Sequence, residues 1–131
     1  MIVLDASAAV EFLLRTTIGQ RARDMLLAAG DALHAPHLID LEVAQTLRRF
    51  CLTGQIAAER GREALEDLLD LPLHRHRHDI FLFRIWELRN AVTAYDAEYL
   101  ALAESLDAVL VTRDAALADV RYHRARVEVL R

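Results

Sequence analysis

Apolar positions along this chain fall into two rhythms. Residues 2–4, Ile-Val-Leu, form a short run with no polar interruption. A run apolar on both faces predicts a strand buried in a parallel sheet. Val10, Leu13 and Leu14 then follow at helical spacing. Residues 19–29 continue in that rhythm and stop at Gly30, a natural helix terminator. Residues 32–35 predict a second strand closed by Pro36. Leu38, Leu41, Val43, Ala44 and Leu47 predict a helix over 37–50 that ends near Gly54. Residues 56–71 give another helix, studded outside with Glu and Arg and closed by Pro72. Residues 73–78 alternate His and Arg like a strand, and a helix over 80–89 carries Phe81, Ile85, Trp86 and Leu88. Thr93 to Asp96 has the capping-box pattern and opens a helix through Tyr99, Leu100, Ala103 and Leu106. Residues 107–112 form the second strongly apolar strand. A short helical stretch follows Asp114, and 127–130 predict a last strand. Strands alternating with helices imply an α/β domain, a parallel sheet covered on both faces.

Composition narrows this picture. The chain has 131 residues, 54% of them hydrophobic, with four Gly and two Pro, which predicts one globular domain over 1–131 without linkers. Cys51 is the only cysteine, so no internal disulfide forms, in keeping with a reducing cytoplasm. Asp5 and Glu11 interrupt the apolar N-terminus, and no basic segment precedes it, which argues against a signal peptide or a membrane span. All sixteen Lys-plus-Arg positions are Arg. Lysine-dependent phosphate loops, Schiff-base chemistry and phospho-receiver sites are therefore excluded. A dehalogenase-like phosphatase would want Asp-x-Asp after the first strand, and Ser7 stands at the third position.

Ligands in open parallel sheets sit beyond the carboxyl ends of the strands. Asp5 directly follows the first strand and Asp114 follows the last strongly apolar one. Asp96 lies in the first turn of the helix leading to that strand, and Glu42 on the helix after the second strand. Singly, Asp5 and Asp114 read first as helix N-caps, Asp96 as the acid answering Thr93, and Glu42 as a solvated residue. Together they make a hard-oxygen set suited to Mg²⁺ or Mn²⁺. Ser7 and Thr112 flank two of the acids as supporting hydroxyls, and Asn90, the sole asparagine, either orients a water or ends a helix.

The segments Val3-Leu-Asp5-Ala-Ser7, Pro36 leading to Asp40-Leu-Glu42, Asn90-Ala-Val-Thr-Ala-Tyr-Asp96-Ala-Glu-Tyr99, Leu102-Ala-Glu104 and Leu110-Val-Thr-Arg-Asp114 together resemble PIN-domain ribonucleases. More closely they resemble the virulence-associated protein C toxins of bacterial toxin–antitoxin pairs. The resemblance implies a three-layer α/β/α fold with about five parallel strands. It implies a metal site at Asp5, Glu42, Asp96 and Asp114, and Mg²⁺-dependent endonucleolytic cleavage of RNA by water. It also implies an antitoxin partner and a homodimer.

Arg84, Arg89 and Arg113 are candidate RNA contacts, with solvated or ion-paired arginine as the alternative. His74, His76 and His78 read chiefly as one face of a polar edge strand, with Arg75 and Arg77 opposite as further phosphate partners; a zinc site is the lesser reading. Trp86, Phe81, Phe83 and Ile85 pack a core or dimer interface, or else stack on bases. Phe12, Leu13, Leu14, Leu38, Leu47 and Phe50 serve either the core or an antitoxin groove. Two other functions stay open: a housekeeping PIN nuclease without an antitoxin, and a non-catalytic RNA- or protein-binding module. The net charge of −4 would ordinarily repel RNA, but it equals in number the four proposed ligands.

Overall fold

The computed structural model describes residues 1–131 apart from the side chain of Ala29. Five strands, β1 (Ile2–Leu4), β2 (Leu33–Pro36), β3 (Leu73–His76), β4 (Val109–Thr112) and β5 (Arg126–Val129), form one sheet. Its order is β3-β2-β1-β4-β5. Every pairing is parallel, with Val3 opposite His34 on one side and Leu110 on the other. Connections run to one side of β1 and then to the other, so the order reverses at the middle of the sheet.

The two-residue period of the central strands sorts the core into layers. Ile2 and Leu4 face one cluster, with α1 (Ala6–Leu13), α2 (Thr17–Ala29), α3 (Leu38–Leu52) and α4 (Ala58–Asp70). Val3 between them faces the other, which gathers α5 (Leu82–Glu87), α6 (Ala94–Leu106) and α7 (Ala115–Ala118). Burial on both faces is why these strands are apolar, with Thr112 at the end of β4 the exception. The α6 helix is buried all round from Ala97 to Ala103, which places Tyr99 inside the molecule, whereas Tyr95 in its first turn is exposed.

Predicted elements are all present, with shifted ends. The predicted helix over 80–89 divides into a 3₁₀ turn at Asp79–Phe81 and the shorter α5. The predicted strand over 73–78 stops at His76, so His78 lies beyond it. Pro36 belongs to β2, where it lacks an amide hydrogen to donate and marks the strand's end. Gly30 closes α2 in the left-handed conformation, at φ 60°. Gly19 has a different necessity: a Cβ there would collide with the Glu11 carbonyl, so α1 and α2 meet only because this residue is glycine. Leu13 and Leu47 are core residues, and Phe12, Leu14 and Phe50 pack partly buried against them.

Candidate active site

The carboxyl ends of β1 and β4 open into a cleft of about 570 Å³ lined by Asp5, Glu42, Asp96 and Asp114. Each acid arrives on a different element. Asp5 follows β1 and caps α1, accepting a hydrogen bond from the Ala8 amide at 3.0 Å. Asp114 caps α7 through the Ala116 amide at 2.9 Å. Asp96 sits in the first turn of α6, where Thr93 is the N-cap and accepts from the Asp96 amide at 3.2 Å. Glu42, on α3, accepts from the Tyr99 hydroxyl at 2.7 Å. The capping and cleft-lining roles therefore coexist in Asp5 and Asp114. Glu42 is half-buried and does not face open solvent.

Asp5 is the most enclosed, 7% exposed, and both of its oxygens accept hydrogen bonds, with lone-pair capacity left on Oδ2. Ser7 donates to Oδ1 at 2.6 Å, and Thr112 donates to Oδ2. The same two hydroxyls accept backbone amides in return, Ser7 from Arg113 at 2.9 Å and Thr112 from Asp114 at 3.0 Å. The DAS and VTRD segments are thus laced together through side chains, so the ends of β1 and β4 share one hydrogen-bond network.

Electrostatics of the cleft are those of like charges held together. Burial pushes the Asp5 carboxyl above its ordinary range, against the lowering effect of Ser7, Thr112 and the amides. Asp96 is raised by burial, then by Asp114 and Asp5. Glu42 is raised by burial, lowered by the Tyr99 hydrogen bond, and raised again by Asp5 and Asp96. Such a cluster favours either protonation or a cation. Among the described residues no group of three or more His, Cys, Asp or Glu is drawn together as a ready-made cage for a metal ion. Mg²⁺ does not require one: it keeps several waters and is held by one or two carboxylates together with substrate phosphate. An all-oxygen donor set whose members repel one another fits that kind of ion.

The other predicted residues separate into three groups. Arg113 lines the cleft, but its guanidinium is 3.4 Å from Glu11 and donates to the Leu130 carbonyl at 2.8 Å. Arg89 and Asn90 line a second hollow that also borders Asp96 and Asp114. Arg89 lies over the Trp86 ring, 4.7 Å from its centroid. Arg84 lines neither hollow. It forms a fork on the nearly buried Glu104 at 2.8 and 2.9 Å and also binds Glu87, which fixes it as a structural cation.

The polar edge strand is present at β3, but its arginines are not free for phosphate. Arg75 forks onto Asp40 and Arg77 onto Asp79. His74 and His76 share a face with His34 of β2, whose Nδ1 is 2.8 Å from His76 Nε2. Burial and the neighbouring histidines lower the pKa of His34 and His76, so these rings favour the neutral state. His78 instead lies 3.7 Å from the buried Glu98. Phe81 is buried, whereas Phe83 and Trp86 are exposed.

Sequence reading missed two partners of the site. Tyr99 belongs to the block that carries the resemblance but gives no sign of being the partner of Glu42, and Arg49, which lines the cleft from the same helix face as Glu42, is hidden in a surface Arg-Arg pair. Their signal is spacing: Glu42, Gln45, Thr46 and Arg49 recur at i, i+3, i+4 and i+7 on one helix face.

An all-parallel five-stranded sheet between helical layers, with four acids at the carboxyl ends of its central strands, defines an α/β/α protein with an acidic cleft at its topological switch point. Residues 2–121 match the PIN domain family. The chain is 42% identical over 130 residues to the VapC ribonuclease Mb0985 of Mycobacterium bovis, covering 99% of this chain and 98% of that protein. It is 38% identical to ribonuclease VapC12 of Mycobacterium tuberculosis, covering 99% of each. Among solved structures, PAE2754 from Pyrobaculum aerophilum superposes with a TM-score of 0.71 at 24% identity, over 98% of this chain and 83% of that one. VapBC2 from Rickettsia felis, bound to a DNA fragment from their promoter, also gives 0.71, at 15% identity over 100% of both chains. This chain belongs to the PIN domain family, in the group of the VapC ribonucleases.

Proposed function

We propose that the protein is a divalent-metal-dependent endoribonuclease and the toxin of a toxin–antitoxin pair, with Asp5, Glu42, Asp96 and Asp114 holding Mg²⁺ or Mn²⁺. The observation that carries this reading is the convergence of four carboxylates from four elements on one cleft, three of them held above their ordinary pKa. When bound, such a cation supplies Lewis acidity, making a water a better nucleophile at neutral pH and neutralising charge that builds on the phosphoryl oxygens. The residues of the chain do the positioning. Ser7 and Thr112 hold Asp5 in one orientation, and Tyr99 fixes Glu42. Water then attacks phosphorus in line: a new P–O bond forms, the ester P–O bond on the opposite side breaks, and the leaving oxygen takes up a proton.

The antitoxin partner is supported by the relatives' VapC names and by the VapBC2 pair among the structural neighbours. These names favour a toxin over a housekeeping nuclease or a non-catalytic binding module. A homodimer is supported by exposed apolar side chains along the 3₁₀ turn and α5, with Ile80, Phe83 and Trp86 exposed by 70%, 88% and 66%. Among the described residues no helix is long and apolar enough to cross a membrane. We place the protein in the cytoplasm, where RNA is available and Cys51 stays reduced.

The test is RNA cleavage and growth arrest by wild type and Asp5→Asn, with Mg²⁺ and with chelator. Wild type is expected to cleave only with the metal, Asp5→Asn to fold and do neither, and a co-expressed neighbouring antitoxin to restore growth. Equal cleavage by the variant, free of contaminating nuclease, would overturn the proposal.

A further inference from the structure

Opposite the strand-end acids, the cleft is walled by the face of α3 that carries Glu42, Gln45, Thr46 and Arg49. Two arginines line the cleft. Arg113 is committed to Glu11 and to the Leu130 carbonyl. Arg49 has no carboxylate partner among the described residues; its guanidinium rests 5.8 Å from the centroid of Phe50, another lining residue. An acidic cleft that leaves one of its cations unpaired, instead of neutralising it against the surplus carboxylates, keeps that cation available for an incoming anion.

Position decides which anion. Seven residues at a helical rise of 1.5 Å set Arg49 about 10 Å along α3 from Glu42. That offset along the helix suits a phosphate further along the same strand better than the one reacting at the carboxylates. The strand has room to continue on the other side as well. Asp96 and Asp114 border both the cleft and the second hollow, also about 570 Å³, so the acids stand between two cavities that a polynucleotide can thread.

We propose that Arg49, with Gln45 and Thr46 beside it, binds a non-reacting phosphate flanking the bond to be cut, and so sets the register of the RNA strand over the carboxylates. The guanidinium fork suits phosphate, and the neighbouring amide and hydroxyl suit phosphate or sugar oxygens. This rests on the nuclease reading above and deepens it by assigning where the strand is gripped.

Arg48 provides the control, because its removal changes the net charge equally while it sits off the face that lines the cleft. Binding of a fluorescein-labelled, random-sequence 12-nucleotide single-stranded RNA is measured by anisotropy over a series of salt concentrations. The proteins carry Asp5→Asn to prevent cleavage, alone and with Arg49→Ala, Arg49→Lys or Arg48→Ala. Arg49→Ala is expected to bind about tenfold more weakly and to reduce the slope of log K against log salt by about 0.7, the loss of one single-strand phosphate contact. Arg49→Lys recovers part of the affinity, and Arg48→Ala stays within about twofold of its parent. In the cleavage-competent protein, Arg49→Ala raises KM with little change in kcat. Thermal denaturation checks that the variants fold, and Arg49→Gln replaces Arg49→Ala if that one does not. Equal behaviour of Arg49→Ala and Arg48→Ala, in a protein whose wild type cleaves RNA, overturns the Arg49 assignment and leaves the nuclease reading standing. A wild type that neither binds nor cleaves RNA overturns both.

Discussion

Thr112→Val is the sharpest perturbation of the network that holds the site. Thr112 is fully buried, and its hydroxyl has two partners at once: it donates to Asp5 Oδ2 and accepts the Asp114 amide at 3.0 Å. Valine keeps the shape and removes both bonds. A hydrogen bond to a charged group contributes about 2 kcal/mol, and a stranded amide costs about 1 kcal/mol more, giving a loss of about 3 kcal/mol. For 131 residues the unfolding entropy near the midpoint is about 0.28 kcal/mol/K, so Tm should fall by about 10 °C. Thr112→Ser keeps the hydroxyl and loses one methyl, a cost of about 1 kcal/mol or about 4 °C. Differential scanning calorimetry of the metal-free proteins, with cleavage rates measured alongside, separates the two. Cleavage should drop by about 10- to 100-fold in the valine variant and much less in the serine variant. If valine and serine variants melted within about 2 °C of each other, the hydroxyl would not be holding the site, and the network would be a consequence of packing.

Further expectations follow from the same geometry. Asp96 holds its proton to higher pH in the folded protein than in the unfolded chain, so its ionisation costs stability as pH rises from the ordinary carboxylate range of about 4 through the raised value. Asp96→Asn should therefore stabilise the metal-free protein on the order of 1 kcal/mol at about pH 7.5, and not at about pH 4, in urea denaturation; a gain equal at both would contradict the repulsion. Tyr99→Phe releases Glu42 and should reduce Mg²⁺ affinity or cleavage by about tenfold while Tm changes little, which a metal titration of the cleavage rate would read. Arg84→Ala leaves Glu104, whose side chain is 4% exposed, with only the Arg124 amide and its more distant guanidinium, and should cost about 2 kcal/mol in urea denaturation without a specific change in KM for RNA; a rise in KM alone would return Arg84 to the RNA-contacting set.

How far the sequence reaches depends on whether a feature is local. Strands β1 and β4 announce themselves because burial on both faces leaves them apolar apart from Thr112 at the end of β4. Asp5 and Asp114 stand out because a charge directly beyond such a strand has few reasons to be there. Glu42 and Asp96 gain meaning only jointly with those two, and the resemblance strengthens them, since a helix acid is ordinary until its face is known. What stayed hidden depends on distance in the chain. Arg84 meets Glu104 twenty residues away, and Arg75 meets Asp40 thirty-five residues away, so free and committed arginines look alike in the sequence. Arg49 and Arg48 differ only in helical phase. Tyr99 sits in a helix buried on all sides, where no amphipathic pattern indicates which way the hydroxyl points.

The central claim is that the four carboxylates form a cation site, and calorimetric titration of the metal-free protein with Mn²⁺ tests it most directly. Wild type should give a saturable heat that Mg²⁺ competes away, and Asp5→Asn, folded to the same extent, should give none. A wild type without heat, or an Asp5→Asn variant that binds Mn²⁺ as wild type does, would contradict the account.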